Sequence, residues 1–243
     1  MKKLILFILL CFNFVVLLAQ QDVTTFLGIP VDGTKPEMIA KLKEKGFVYS
    51  ANSDFLQGEF NGEEVEIGVV TNNNKVWRIA VFDKINRSEQ QIKIRYNQLC
   101  EQFSNNKRYT SFLNKDSSYV IPYDEDISYE MSVNEKLYQA SFYQNPDSVT
   151  FFNNPIMQRE CPTVYKAVSE IGISNLRKDG VLDEYIEGLP KDEVFNFASE
   201  FFFRMYSFLG KKRVWFQISG SYDRYYIVMY YDNEYNKANG EDL

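Results

Sequence analysis

Two runs of alternating apolar residues, Leu56 to Phe60 and Val65 to Val70, flank the dipeptide Asn61-Gly62. Both residues tolerate the positive φ that a tight type I′ turn needs at each of its central positions, so the chain must fold back on itself there as an antiparallel hairpin. Val65 to Thr71 and Val76 to Phe82 repeat the arrangement around Asn72-Asn73-Asn74-Lys75. Consecutive hairpins commit this part of the chain to an antiparallel meander. They exclude a doubly wound parallel sheet, whose strands are joined by crossover helices.

Helix signals sit on either side of the meander. Thr34-Lys35-Pro36-Glu37 has the form of a capping box, Met38, Ile39 and Leu42 follow at helical spacing, and Gly46 closes the segment. Ser88-Glu89-Gln90-Gln91 repeats the box, and Ile92, Tyr96, Leu99 and Phe103 fall on one helix face. Beyond the polar stretch Ser104 to Arg108, Ile127 to Val133 and Leu137 to Tyr143 read as strands joined by Asn134-Glu135-Lys136. Pro162 opens a helix carrying Val164, Tyr165, Val168 and Ile171, and Asp179-Gly180 marks a turn.

Asp192 to Leu209 carries two apolar stripes, Val194-Phe197-Phe201-Met205-Phe208 and Phe195-Phe202-Tyr206-Leu209. A face this broad predicts a central helix packed on both sides, or else an aromatic surface offered to a partner. Val214 to Ile218 and Tyr225 to Tyr231 form a final hairpin around Ser219-Gly220-Ser221-Tyr222. The expected fold is therefore α+β: antiparallel sheet from two helix-plus-meander units, near 26–86 and 87–243, with a helical insert at 144–210 before the C-terminal hairpin. The tail from Asp232 onwards reads as surface.

The first 19 residues constrain the address. Lys2 and Lys3 precede an apolar run from Leu4 to Leu18, Ala19 follows, and Gln20-Gln21-Asp22 is polar. This is the pattern of a secretory signal peptide cut after Ala19, leaving 20–243 as one exported domain, periplasmic or extracellular. The run is shorter than the roughly 20 apolar residues that a membrane-spanning helix needs, and Leu10 before Cys11 does not suit lipidation. Losing the two lysines takes the formal net charge from −6 to −8. A chain this acidic, without a basic cluster, lacks the electrostatic footprint of a nucleic-acid or anionic-membrane binder. The partners expected are an envelope protein or a neutral ligand. In an oxidising compartment Cys100 and Cys161 could form one disulfide, or stay buried as inert thiols.

Histidine is absent, which excludes every mechanism that needs an imidazole base and every His-ligated metal site. No Gly-rich turn from strand to helix suggests a nucleotide, and no cofactor or metal is expected. Asp232, Glu234 and Asn236 have the spacing of a calcium loop, but Lys237 stands where the turn glycine belongs and Leu243 where the bidentate glutamate does. Asp124-Glu125-Asp126 and Glu63, Glu64 and Glu66 read as hydrated charge, so no carboxylate stands out as catalytic. The aromatics are the remaining candidates. Trp77 in the meander and Trp215, Tyr226 and Tyr230 in the last hairpin are candidate binding residues, because rigid rings offer contact area at low entropic cost. Alternation places Tyr226 and Tyr230 on one face and Tyr225 and Tyr231 on the other, so at least one set belongs to the core.

The segments Phe26-Leu27-Gly28-Ile29-Pro30-Val31-Asp32-Gly33-Thr34, Lys45-Gly46-Phe47, Leu56 to Glu63, Tyr230 to Asn233 and Asn239 to Leu243 resemble secreted proteins of Bacteroidota-type bacteria. That resemblance implies export and no particular activity. In outline the helix-plus-meander units are also similar to β-lactamase-inhibitor-protein-like and outer-membrane-assembly lipoprotein folds, which implies a binding module. The reading is an exported, non-catalytic binding or interaction protein of the cell envelope. The alternative is a carboxylate-dependent envelope hydrolase acting on glycans, which needs two carboxyl groups facing each other across a cleft. In a third reading, the broad face of Asp192 to Leu209 docks the chain into an envelope assembly.

Overall fold

The computed structural model describes residues 22–111, 119–146, 159–172, 175, 180–221 and 224–238. Residues 1–19, which the sequence suggests as a signal peptide, Asp179, Tyr222 and the last five residues of the tail lie outside the described residues. Six helices and ten strands are present among those described, and none of the helices is long and apolar enough to cross a membrane. The fold is α+β with antiparallel sheets.

A short hairpin, β1 (Thr25–Phe26) and β2 (Ile29–Pro30), opens the chain and turns at Leu27-Gly28 with φ of 52° and 79°. Helix α1 (Lys35–Glu44) follows, its N-terminus closed by Glu37 Oε2, which accepts the Thr34 N–H at 2.8 Å. Four strands come next: β3 (Val48–Ser50), β4 (Phe55–Phe60), β5 (Glu63–Asn72) and β6 (Lys75–Asp83). Both turns of the meander take the form their residues demand. Asn61-Gly62 has φ of 54° and 77°, and Asn73-Asn74 has 47° and 62°.

The second unit has the same plan. Helix α2 (Glu89–Asn105) starts at a reciprocal Ser88–Gln91 capping box. It leads to β7 (Tyr109–Thr110), β8 (Gln139–Gln144), β9 (Arg213–Ser221) and β10 (Arg224–Asp232). All eight strands form one sheet in the order β3-β4-β5-β6-β10-β9-β8-β7. Each unit is thus a helix followed by four neighbouring strands, and the halves join antiparallel through their last strands, with Val228 opposite Phe82 and Asp232 opposite Arg78.

One expected strand is a helix. Ile127 to Val133 forms α3 (Ile127–Val133), whose N-terminus is capped by Asp126 Oδ1 accepting the Tyr129 N–H at 2.8 Å. Ile127, Tyr129, Met131 and Val133 alternate, but only Ile127 and Met131, one helical turn apart, reach the core, while Tyr129 and Val133 are exposed. A capping aspartate and an i, i+4 pair therefore outweigh a period-2 pattern that spans a single short segment. Strand β8 pairs instead with β9, from Gln139 opposite Gln217 to Tyr143 opposite Arg213.

The helical insert leaves the sheet between these neighbouring strands. Its helices α4 (Pro162–Ile171), α5 (Val181–Glu187) and α6 (Lys191–Leu209) gather a core of their own around Cys161, Val164, Ala167, Phe197 and Phe208. Glu200 of α6 fastens the layer by accepting the Thr163 and Val164 N–H groups at 2.9 and 3.2 Å, taking the place of a cap at the start of α4. The expectation that this last helix is packed on both sides is overturned. Phe197 and Phe208 are buried, whereas Phe195, Phe202, Phe203 and Tyr206 are 73, 71, 79 and 64% exposed.

The main core lies between one face of the sheet and helices α1 and α2. Met38 and Leu42 of α1, and Ile92, Tyr96, Leu99 and Phe103 of α2, pack against Leu56, Ile67, Ile79, Phe142, Phe216 and Ile227 of the strands. Phe103, Phe142 and Phe216 stack at 4.9 to 6.1 Å between ring centroids, with Tyr96 edge-on to Phe216 at 5.3 Å. Asn233, fully buried, ties the end of β10 to the opening segment by donating to the Val31 carbonyl at 2.7 Å.

Cys100 and Cys161 are both free and buried, and they belong to the two different cores, so the disulfide that export allows is not formed between them. Burial pushes the Cys100 thiol up to about 12 and raises that of Cys161 as well, which leaves little reactive thiolate at neutral pH. Maleimide labelling of the chain beginning at Gln20 should therefore find no rapidly reacting thiol in the native state and two after denaturation. Fast native labelling of Cys100 would contradict this packing.

Candidate functional site

Strand alternation sends Tyr225, Ile227, Met229 and Tyr231 of β10 into the core and leaves Tyr226, Val228, Tyr230 and Asp232 on the other face, against which neither α1 nor α2 packs. Cross-strand register extends that face to Trp215 opposite Tyr230 and Ser219 opposite Tyr226 on β9, and to Ser141 opposite Trp215 on β8. On β6 the register shifts: Val70 faces Arg78, Thr71 faces Val76, and Trp77 is the extra residue of a β-bulge. The bulge breaks the alternation, and Trp77 and Arg78, although adjacent in sequence, lie against each other. The Arg78 guanidinium is 4.2 Å from the Trp77 ring centroid.

From that point a row of rings and guanidinium groups crosses three strands. Arg78 lies 4.5 Å from the Tyr230 centroid and 5.4 Å from that of Trp215. Trp215 and Tyr230 are 4.3 Å apart at an interplanar angle of 30°. The guanidinium of Arg213 continues the row at 4.9 Å from Trp215 and donates to Ser141 Oγ at 2.8 Å. Each contact is within the range where a cation and an aromatic face attract.

Beneath the row lies Asp232, with 1% of its surface exposed. Its two carboxylate oxygens accept Arg78 Nε at 2.6 Å and Nη2 at 2.8 Å, and Oδ2 also accepts Trp215 Nε1 at 2.8 Å. A buried carboxylate is tolerable when it is paired and hydrogen-bonded in this way, and the bidentate geometry fixes the plane of the guanidinium. Asp232 thereby neutralises Arg78 and orients both Arg78 and Trp215. Burial also raises the Tyr230 phenol above its ordinary range, with Arg78 opposing the shift.

Three of the four aromatics singled out from the sequence, Trp77, Trp215 and Tyr230, meet in this row. Tyr226 shares their face but stands four residues from Tyr230 along β10, about 13 Å at the usual strand rise, and is not a member. Arg78 and Arg213 are not among the residues singled out from the sequence, and Asp232 is singled out there only for its calcium-loop spacing. Arginine beside or one residue removed from tryptophan, in Trp77-Arg78 and Arg213-Val214-Trp215, is the signal that could have found the first two. Asp232 begins the segment read as a surface tail and gives no sign of its burial.

The other carboxylates singled out are engaged separately. Glu125 binds Lys136 and the Tyr138 hydroxyl, which together hold its carboxyl below the ordinary range, while Asp126 caps α3. Glu63 pairs with Arg87 at 2.5 Å, Glu64 with Lys84 at 3.7 Å, and Glu66 accepts from Gln57 at 2.9 Å. In the calcium-like spacing, Asp232 serves Arg78, Glu234 meets Lys237 at 3.2 Å, and Asn236 donates to Asp32 and Val76. Among the described residues no three acidic or thiol side chains are grouped so as to hold a metal ion. No family model, no curated protein and no solved structure matches this chain.

Proposed function

We infer that the chain is an exported binding protein of the cell envelope that engages its partner through the aromatic row on the open sheet face. The single observation that carries this reading is the row from Trp77 through Arg78, Tyr230 and Trp215 to Arg213. Trp, Tyr and Arg are the residues that dominate protein-binding hot spots, because they combine large area with few rotatable bonds and directed donors. Here Asp232 holds the row in place from below, so binding loses little further side-chain freedom. The carboxylate that touches the row accepts three hydrogen bonds from Arg78 and Trp215, and so is poorly placed to move protons for a hydrolase. This favours recognition over the glycan-hydrolase alternative. Export rests on the basic and apolar opening of the sequence.

Capture from envelope extract tests the reading. Wild type, Trp77→Ala, Tyr230→Ala and a control on the helix face, Ile94→Ala, are first matched for thermal stability. Proteins retained by wild type and by the control should be depleted about tenfold or more by either row variant, the loss expected when a hot-spot side chain worth about 2 kcal/mol is removed. Equal recovery by all four chains would show that the open face is not the binding surface. Tyr226→Ala should have a smaller effect, since Tyr226 stands apart from the row.

A further inference from the structure

The opposite, helix-bearing side of the sheet holds a cavity of about 860 Å³, between the end of α2, the start of β7 and the β1–β2 hairpin. Its volume falls within the roughly 300–1,000 Å³ typical of small-ligand sites. The space exists because the opening hairpin lies outside the main sheet as a separate two-stranded unit. The Gln144 side chain holds it from the sheet: Gln144 Oε1 accepts the Thr25 N–H and Gln144 Nε2 donates to the Thr25 carbonyl, both at 2.7 Å.

The walls and the mouth differ in chemistry. Phe60, half-buried, and Leu27 at the hairpin turn, exposed, supply the accessible apolar surface, and the further apolar lining residues Leu99, Phe103 and Met229 are buried. Lys107 and Arg108 stand at the turn between α2 and β7, both exposed and lining the cavity, and neither forms an ion pair among the described residues. Lys212, which also lines it, is buried and already neutralised by Asp22 at 2.5 Å. In a chain whose formal net charge is −6, two adjacent cations that have no ion-pair partner among the described residues, at the mouth of a partly apolar space, are a specific charge complement.

We propose that this cavity binds a single acyl chain ending in an anionic group, with the chain against Phe60 and Leu27 and the head between Lys107 and Arg108. A neutral apolar molecule would leave both cations unanswered, and a small inorganic anion would leave the apolar walls uncovered. The free acid and a lysophospholipid present the same chemistry. The site lies on the face opposite the aromatic row, so it stands or falls independently of that row.

Calorimetric titration of the chain beginning at Gln20 tests the proposal, using decanoate, a decanoyl lysophosphatidate and neutral decanol below their aggregation limits. Decanoate or the lysophosphatidate should bind saturably at one site, and the tighter of the two identifies the source of the head group. The double variant Lys107→Gln/Arg108→Gln should weaken the anionic ligand at least about tenfold while changing decanol less than about twofold, since it removes charge-assisted hydrogen bonds only. Gln102→Trp, an exposed residue at the cavity wall, should weaken all the ligands by filling the mouth. All three positions are on the surface, so the variants should melt with wild type. Absence of saturable binding by both anions, or binding unchanged in the double variant or in Gln102→Trp, would overturn the proposal.

Discussion

Phe216→Ala is expected to lower the melting temperature by roughly 6–20 °C. Removal of a buried phenylalanine costs about 3–5 kcal/mol, through lost transfer energy and the cavity left behind, and each kcal/mol shifts a chain of this size by about 2–4 °C. Phe216 should reach the full effect because it has no exposed surface and three rings close on it, from Tyr96, Phe103 and Phe142. Those rings come from α2 and β8 and close on Phe216 of β9, so they cannot collapse together without moving a helix. Phe202→Ala is the matched contrast. The same atoms are removed from a side chain that is 71% exposed on α6, and the change should stay within about 0.5 kcal/mol. Melting curves followed by near-UV circular dichroism decide the matter. A large loss in Phe202→Ala would mean that the apolar face of α6 is covered in the folded chain, and a small loss in Phe216→Ala would mean that the ring cluster is not the structural centre.

What the sequence makes legible follows the range of the forces involved. Asn61-Gly62 and the boxes at Thr34 and Ser88 act over a few residues, and all appear where they are read. The alternation along Tyr225 to Tyr231 separates core from open face because β10 is central and regular. Failure begins where a short pattern must be weighed against distant partners. Ile127 to Val133 alternates like a strand, yet Asp126 is close enough to cap a helix and the neighbour of β8 arrives 70 residues later, on the far side of the insert. The same separation hides the site. Arg78 and Asp232 are 154 positions apart, and only the antiparallel junction of β6 with β10 brings them face to face. The bulge at Trp77 is equally silent, since nothing local distinguishes an extra residue from a register-keeping one. The two stripes of α6 are real, but composition cannot say that the insert folds as its own layer with one of them exposed.

Asp232→Asn should be the most informative single change at the site. It keeps the volume and part of the hydrogen bonding but removes the charge, leaving the Arg78 guanidinium, with a side chain only 20% exposed, without its counter-ion. Breaking a buried pair from one side costs about 3–5 kcal/mol; because Arg78 retains some contact with water, a loss near the lower limit is expected, roughly 6–12 °C in melting temperature. Replacing both partners together, Arg78→Met with Asp232→Leu, should recover most of that loss, since the isolated charge rather than the missing attraction dominates the cost. The chain carries its own reporter: both of its tryptophans, Trp77 and Trp215, are in the row. Trp215 loses a charged acceptor in Asp232→Asn, and Trp77 loses the fixed cation stacked on it, so the emission maximum should move together with stability. In the double variant stability should return while emission stays shifted and partner capture stays lost. That divergence separates the two roles of the pair: any apolar filling of the space can support the sheet, whereas only the Arg78–Asp232 bridge holds the rings in a binding geometry. Additive stability losses, or wild-type capture by the double variant, would show that the pair neither couples the strands nor organises the row.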